Sequence, residues 1–270
     1  MLTHEAQSNL IIGNLITGYK GEDKFGWRDP ANWIMSTIKQ DNKVVLVALM
    51  TPPYKITLYV LDNNMDKTAI KCLVDGLEAK GIQVPGVVTE KSLAETFADE
   101  YCKPKGLTHK VSVSQRIYKL AHVNNEIPKI GTLRLPNKQD WSFLPFWIEG
   151  FMADVNTGSN GAVSEDIEKY SYHISQDKLY ILEIDGIAIS MAKIIREIPN
   201  GVCVGIVYTP PYWRKKGYAS GVVAQISQAY LDKGYKFCVL YTDLTNPTSN
   251  SIYQKIGYKP VCDSLEITFE

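Results

Sequence analysis

The residues best suited to chemistry form one run: Tyr208-Thr209-Pro210-Pro211-Tyr212-Trp213-Arg214-Lys215-Lys216-Gly217-Tyr218-Ala219. Three consecutive cations stand directly before a glycine, and an amphipathic helix follows. A loop of this kind cradles a phosphate. Open backbone N–H groups at the helix start point at the anion, and the helix dipole adds roughly half a positive charge there. Gly217 lets the backbone close on the ligand.

The flanking pattern must position that loop. Val202 to Tyr208 is an apolar, β-rich run. Ala219, Val222, Val223, Ile226, Ala229 and Tyr230 then recur at helical spacing. Lys233 and Gly234 end the helix. Phe237 to Tyr241 reads as a buried strand. Strand, loop, helix and strand make a βαβ unit, so the sheet is expected to be partly parallel. Asn246 or Ser249 can cap a short helix carrying Ile252 and Ile256 inward and ending at Gly257. A closing strand is expected over Ser264 to Phe269.

This order, over about Gly131 to Glu270, resembles the GCN5-related N-acetyltransferase (GNAT) superfamily. The resemblance rests on Arg214-x-x-Gly217-x-Ala219 and on Asn246-x-x-Ser249-x-x-x-Tyr253. It implies an α/β (α+β) fold of tandem GNAT-like domains, each a mixed, mostly antiparallel sheet flanked by helices. It implies acetyl-CoA as cosubstrate, with its pyrophosphate on the N–H groups of Lys215, Lys216, Gly217, Tyr218 and Ala219. Arg214, Lys215 or Lys216 would add charge. Backbone groups of Val207, Tyr208 and Thr209 would grip the pantetheine arm. Asn246 would contact that arm, and Ser249 would help it or cap its helix. Tyr253 would act as acid or donor for the departing thiolate, against the plainer role of packing beside Ile252 and Ile256. Many relatives place a glutamate base on the strand before the loop. Here Val202 to Thr209 holds no acid. Glu183, Glu149 and a water chain remain as alternatives.

Composition agrees with a soluble enzyme. A chain of 270 residues favours two domains. Acidic and basic residues balance at 29 each, which gives no global field to draw nucleic acid or a membrane surface. No leader pattern or membrane-length apolar run is present, so a cytoplasmic location is expected. Five scattered cysteines read as reduced thiols, and four isolated histidines suggest no metal site.

An internal echo suggests duplication. Thr51-Pro52-Pro53-Tyr54 repeats Thr209-Pro210-Pro211-Tyr212, each after a strand-like run. Downstream, Ala69, Ile70, Leu73, Val74 and Leu77 mark a helix ending at Lys80-Gly81, as the later helix ends at Lys233-Gly234. Thr89-Glu90 then matches Thr242-Asp243. After Tyr54 the chain has no glycine and only one cation before Leu61. Tyr101 falls one residue out of register with Tyr253. The expected division is therefore a degenerate domain over 1–124 and a catalytic domain over 125–270, with a turn-prone linker near Leu120 to Lys129.

Within the second domain, Thr132 to Leu135 reads as a strand. Asp140 is a candidate cap, and Pro145 a helix start carrying Ile148 inward. Asp185-Gly186 should turn a hairpin between Leu179–Ile184 and Ile187–Ile195. Trp141, Trp147, Tyr170, Tyr172 and the loop at 156–161 could line an acceptor cleft. The function expected is acetyl transfer from acetyl-CoA to a primary amine by direct attack. The acceptor would be a small molecule or peptide, and the protein a monomer or homodimer. The alternative is a non-catalytic coenzyme A sensor or scaffold.

Overall fold

The computed structural model describes residues 2–19, 30–61, 66–155, 160–165, 168–174 and 177–270. The chain divides into two compact units. The first comprises Met1–Ile117, Tyr241–Asn246 and Pro260–Glu270, and the second Tyr118–Leu240 and Pro247–Lys259.

The first unit opens with α1 (Leu2–Gln7) and α2 (Asn9–Tyr19). Three antiparallel strands follow: β1 (Ile34–Gln40), β2 (Lys43–Met50) and β3 (Ile56–Val60). Then come α3 (Lys67–Ala79), β4 (Gly86–Glu90), α4 (Lys91–Cys102) and β5 (His109–Leu120). α3 forms because its apolar residues share one face: Ala69, Ile70, Leu73, Val74 and Leu77 are all buried. Its start is fixed by the Asp66 side chain, which accepts from the Thr68 N–H at 2.8 Å.

The second unit holds β6 (Thr132–Arg134), α5 (Leu144–Asp154), α6 (Glu168–Ile174), β7 (Leu179–Ile184), β8 (Ile187–Ile198) and β9 (Gly201–Tyr208). α7 (Tyr218–Asp232), β10 (Phe237–Asp243) and α8 (Pro247–Ile256) complete the run. Strand order is β10-β9-β8-β7-β6. The β6–β9 neighbours are antiparallel, and β9 runs parallel to β10. Alternate residues of the strands feed two cores. Leu182, Ala192, Ile194, Val202 and Val204 pack with α7, and Ile181, Met191, Ile206 and Tyr208 pack with α5 and α6.

The last strand, β11 (Lys259–Phe269), pairs antiparallel with β4, from Ser264 opposite Glu90 to Thr268 opposite Gly86. The first unit's order is therefore β1-β2-β3-β4-β11-β5. Residues 260–270, grouped by sequence with the second domain, pack in the first unit, and the units change at Ile117/Tyr118.

Local expectations met mixed outcomes. Pro145 lies in the first turn of α5, where its missing N–H costs nothing. The cap before it is Asn137, not Asp140. Asn137 accepts from the Gln139 N–H, while Asp140 reaches back to the Asn137 N–H at 2.7 Å. The Thr-Pro-Pro-Tyr echo is not equivalent in three dimensions. The first copy connects the antiparallel strands β2 and β3, whereas the second leads directly from β9 toward α7. The later part of the echo holds: α3 leads to β4 as α7 leads to β10, and both helices end at a glycine with positive φ, Gly81 and Gly234.

Candidate functional site

β9 delivers the loop. It pairs with β10 only over Gly201–Cys203 against Phe237–Val239, so the edge of β9 beyond Cys203 lacks a β10 partner. Ile206 sits at φ +49°, and the pairing with β8 is irregular on both sides of Lys193. Such irregularities bend a strand and end its pairing. Val207 and Tyr208 lie on this freed stretch.

The bend is held by side chains. Ser190 Oγ donates to the Tyr208 carbonyl at 2.9 Å and lies 2.8 Å from Thr209 Oγ1. Arg214 Nε donates to the Thr209 carbonyl at 2.9 Å, and its guanidinium lies 5.6 Å from the centre of the Tyr208 ring. Arg214 Nη2 meets Asp154 at 2.5 Å. Arg214 thus braces the strand end, although sequence grouped it with the phosphate cations. Burial pushes the Tyr208 phenol above its ordinary pKa. Tyr208 fits because α5 has no side chain at Gly150: a Cβ there would stand 2.4 Å from Tyr208 Oη.

The loop then turns through left-handed backbone at Lys215 (φ +63°) and Gly217 (φ +83°). Gly217 is the N-cap of α7 and supplies no side-chain acceptor. The first N–H groups of α7 therefore lack an intrahelical partner and, among the described residues, a capping side chain. The first unit differs at α3, which corresponds to α7, and at α4. Asp66 caps α3, and Glu90 caps α4, accepting from the Ser92 and Leu93 N–H groups at 3.0 and 3.1 Å. Carboxylates already fill those helix starts, while the start of α7 lies beside Lys215 and Lys216. These residues fit a pyrophosphate. Lys216 Nζ lies 4.8 Å from the centre of the Trp213 ring, on the same loop.

Tyr253 and Ser249 lie on α8, one turn apart. Tyr253 stacks edge-on against Tyr258 at 6.0 Å, and desolvation pushes its phenol up to about 12. α8 is fixed at the Tyr118 hydroxyl, which lies 2.9 Å from Asn250 Oδ1 and 3.1 Å from Gln254 Nε2. Gly257 at φ +112° ends the helix. Asn246 falls in a segment of the first unit, where its N–H donates to the Asp243 carbonyl at 3.1 Å.

Neither carboxylate considered as a base is free. Arg134 Nε donates to Glu183 at 2.5 Å. Glu149 is buried and accepts from the Tyr170 hydroxyl at 2.8 Å. Of the aromatics expected to line a cleft, Trp147 and Tyr170 are core residues, whereas Tyr172 is exposed. Of the loop expected to line that cleft, residues 156–159 lie outside the described ones.

Lys193 was missed by sequence reasoning. It is 3% exposed, donates to the Tyr172 carbonyl at 3.0 Å and lies 4.9 Å from the Tyr172 ring centre. Burial, then Lys178, lowers its pKa to about 8. The available signal was a lysine in the middle of an apolar run, Ile187 to Ile195.

Against known proteins, residues 187–265 match the family model described as FR47-like protein. No curated protein matches the chain. Among solved structures, a GNAT-family acetyltransferase from Colwellia psychrerythraea aligns over 98% of this chain and 96% of its own, with TM-score 0.56 and 13% identity. The fold is that of the GCN5-related N-acetyltransferases. A GCN5-related N-acetyltransferase from Sphaerobacter thermophilus aligns at TM-score 0.55 and 10% identity, covering 99% of this chain and 93% of its own. A Drosophila protein reaches TM-score 0.61 at 11% identity, covering 99% and 94%. The GNAT fold accounts for a parallel pair, β9 and β10, inside an otherwise antiparallel second unit. Among the described residues, no group of histidine, cysteine and carboxylate side chains could hold a metal ion, and no helix is long and apolar enough to cross a membrane.

Proposed function

We propose that this GNAT-fold chain is an N-acetyltransferase that moves an acetyl group from acetyl-CoA to a primary amine, with its chemistry in the second unit. The observation that carries this reading is the contrast between helix starts: α7 begins at an uncapped glycine beside Lys215 and Lys216, while α3 and α4 begin at carboxylates. In this reading the N–H groups of Lys215 to Ala219 hold the pyrophosphate, and Lys215 and Lys216 add charge. Arg214 sets the bend of β9, so that Val207, Tyr208 and Thr209 present backbone groups to the pantetheine arm. Ser249 contacts that arm.

Bound acetyl-CoA supplies an acyl group already activated as a thioester. The acceptor nitrogen attacks as the neutral amine, a C–N bond forms, and the C–S bond breaks. Tyr253 Oη donates to the departing sulfur. At a pKa of about 12 the phenol holds its proton more tightly than a thiol of ordinary pKa, about 8.5. Its contribution is then a charge-assisted hydrogen bond as the bond breaks, and water completes the protonation. This refines the simpler picture of full proton transfer from Tyr253. With Glu183 and Glu149 both engaged, water carries the amine's proton to solvent.

The first unit is the supporting half in this scheme, and the second unit the catalytic half. The five free thiols support a reducing, cytoplasmic setting. The test is thiol release from acetyl-CoA across a panel of primary amines, beside direct coenzyme binding. Amine-dependent release is expected. Binding without release on any amine would favour a coenzyme sensor, and absence of binding would overturn the proposal.

A further inference from the structure

The first unit contains a cavity of about 330 Å³, and every residue lining it belongs to that unit. It opens where β3 leaves β4. The two strands pair in parallel only at Ile56–Val87 and Thr57–Val88, and beyond this the cavity runs between Tyr59 and Val60 on one side and Thr89 and Glu90 on the other. Gln7 and Ile11, from the two N-terminal helices, cover it. A volume of this size lies at the small end of metabolite pockets, roughly 300–1,000 Å³.

Its chemistry differs from that of the α7 loop. Among the described residues, no lysine or arginine lines it, and Glu90 is the one carboxylate. The link from β3 to α3 reads Leu61-Asp62-Asn63-Asn64-Met65-Asp66, with no cation. With α3 and α4 capped by carboxylates, neither helix start is open to a phosphate. The lining offers acceptors instead. Gln7 Oε1 is buried without a hydrogen-bond partner. Glu90 satisfies the start of α4 through Oε2 alone, and its Oε1 makes no hydrogen bond to a described residue. Burial pushes the Cys262 thiol up to about 11, so it is neutral at pH 7. A buried acceptor without a donor is costly unless a ligand or water satisfies it.

We infer that this cavity is a second ligand site, for a small primary ammonium with an apolar body. The ammonium donates to Gln7 Oε1 and Glu90 Oε1, and the body lies against Leu10, Ile11, Val60 and Val88. Its occupation requires no acetyl-CoA.

Calorimetric titration of the full chain, without acetyl-CoA, tests the site with three probes of one shape: phenethylamine, phenethyl alcohol and phenylacetate. Phenethylamine should bind at least about tenfold more tightly than the alcohol, and phenylacetate should not bind, as one charge-assisted contact is worth about 1.4 kcal/mol. Glu90→Gln keeps an oxygen to cap α4 but removes the charge, so it should erase the amine's advantage over the alcohol. Val88→Phe fills the cavity and should abolish binding of both, while far-ultraviolet circular dichroism reports an intact fold. Equal binding of all three probes, no binding by the amine, or amine binding unchanged in folded Val88→Phe would each overturn the proposal.

Discussion

Tyr253 and Lys193 are two titratable side chains with opposite problems. Tyr253 is a neutral acid whose surroundings keep it neutral. Tyr253→Phe should lower kcat roughly a hundredfold, the usual cost of one transition-state donor, while leaving coenzyme affinity within about twofold. Steady-state kinetics beside direct binding separate the two effects, and an unchanged kcat would remove the donor role. Because the phenol titrates only at about 12, the protonated form persists through neutral and mildly alkaline pH. The wild-type rate should therefore rise as the amine deprotonates, with no loss from Tyr253 below about pH 10.

Lys193 is a charge that its surroundings disfavour. Its folded pKa, about 8, lies below the unfolded value of about 10.4. Between these values the unfolded chain binds more protons, so this group's contribution to stability rises with pH. The burial penalty is complete below about pH 8, on the order of 3 kcal/mol before the Tyr172 hydrogen bond offsets part of it. The stability of the wild type relative to Lys193→Met should therefore increase from about pH 8 to 10. Urea unfolding at a series of pH values measures it, and a flat difference would contradict the assignment. Neither side chain's environment was readable in sequence. A tyrosine or lysine has the same letter in a wet cleft and a dry core, and the shift comes from neighbours distant in the chain.

Helices and turns were far more legible. The buried face of α3, the hairpin turn at Asp185-Gly186, the proline start of α5 and the glycine stop of α7 follow from spacing and local backbone preference. Local rules fix such features, so a local reading finds them. The first Thr-Pro-Pro-Tyr misled because four residues specify a bend but not its partners. Gly217 belongs to this scale as well. A Cβ there would meet nothing closer than Ile130 Cδ1 at 4.0 Å, so space does not demand glycine. Its φ of +83° does, since a β-branched residue rarely adopts that backbone. Gly217→Val should rebuild the turn before α7 and weaken acetyl-CoA binding by tenfold or more. The fold should lose only about 1–3 kcal/mol, as compared by calorimetry and thermal unfolding.

At the scale of the whole molecule, sequence read the presence of β11 but not its place. An apolar run near residue 264 announces a strand, but its pairing with β4 is a long-range choice that no local pattern encodes. The consequence for stability is direct. β11 separates β4 from β5, so deleting residues 260–270 removes the partner of both. It also deletes Leu265 and Ile267 from the first unit's core. The shortened chain should lose the fold of residues 34–117 first, seen as rapid proteolysis there. Resistance of that region equal to wild type would contradict the strand order. A fragment starting at residue 125 has the opposite defect, as it lacks Tyr118 and Leu120, which are core residues of the second unit.

This strand order also sets a schedule for biosynthesis. A ribosome emits β1 to β5 long before β11, and the second unit's strands emerge in between. During that interval the first unit carries a gap between β4 and β5, with open backbone groups and an uncovered apolar face. Translation cannot finish the first unit before the second, so the half made first is completed last. Until then the nascent chain exposes the kind of sheet edge that chaperones shield and that neighbouring chains can invade.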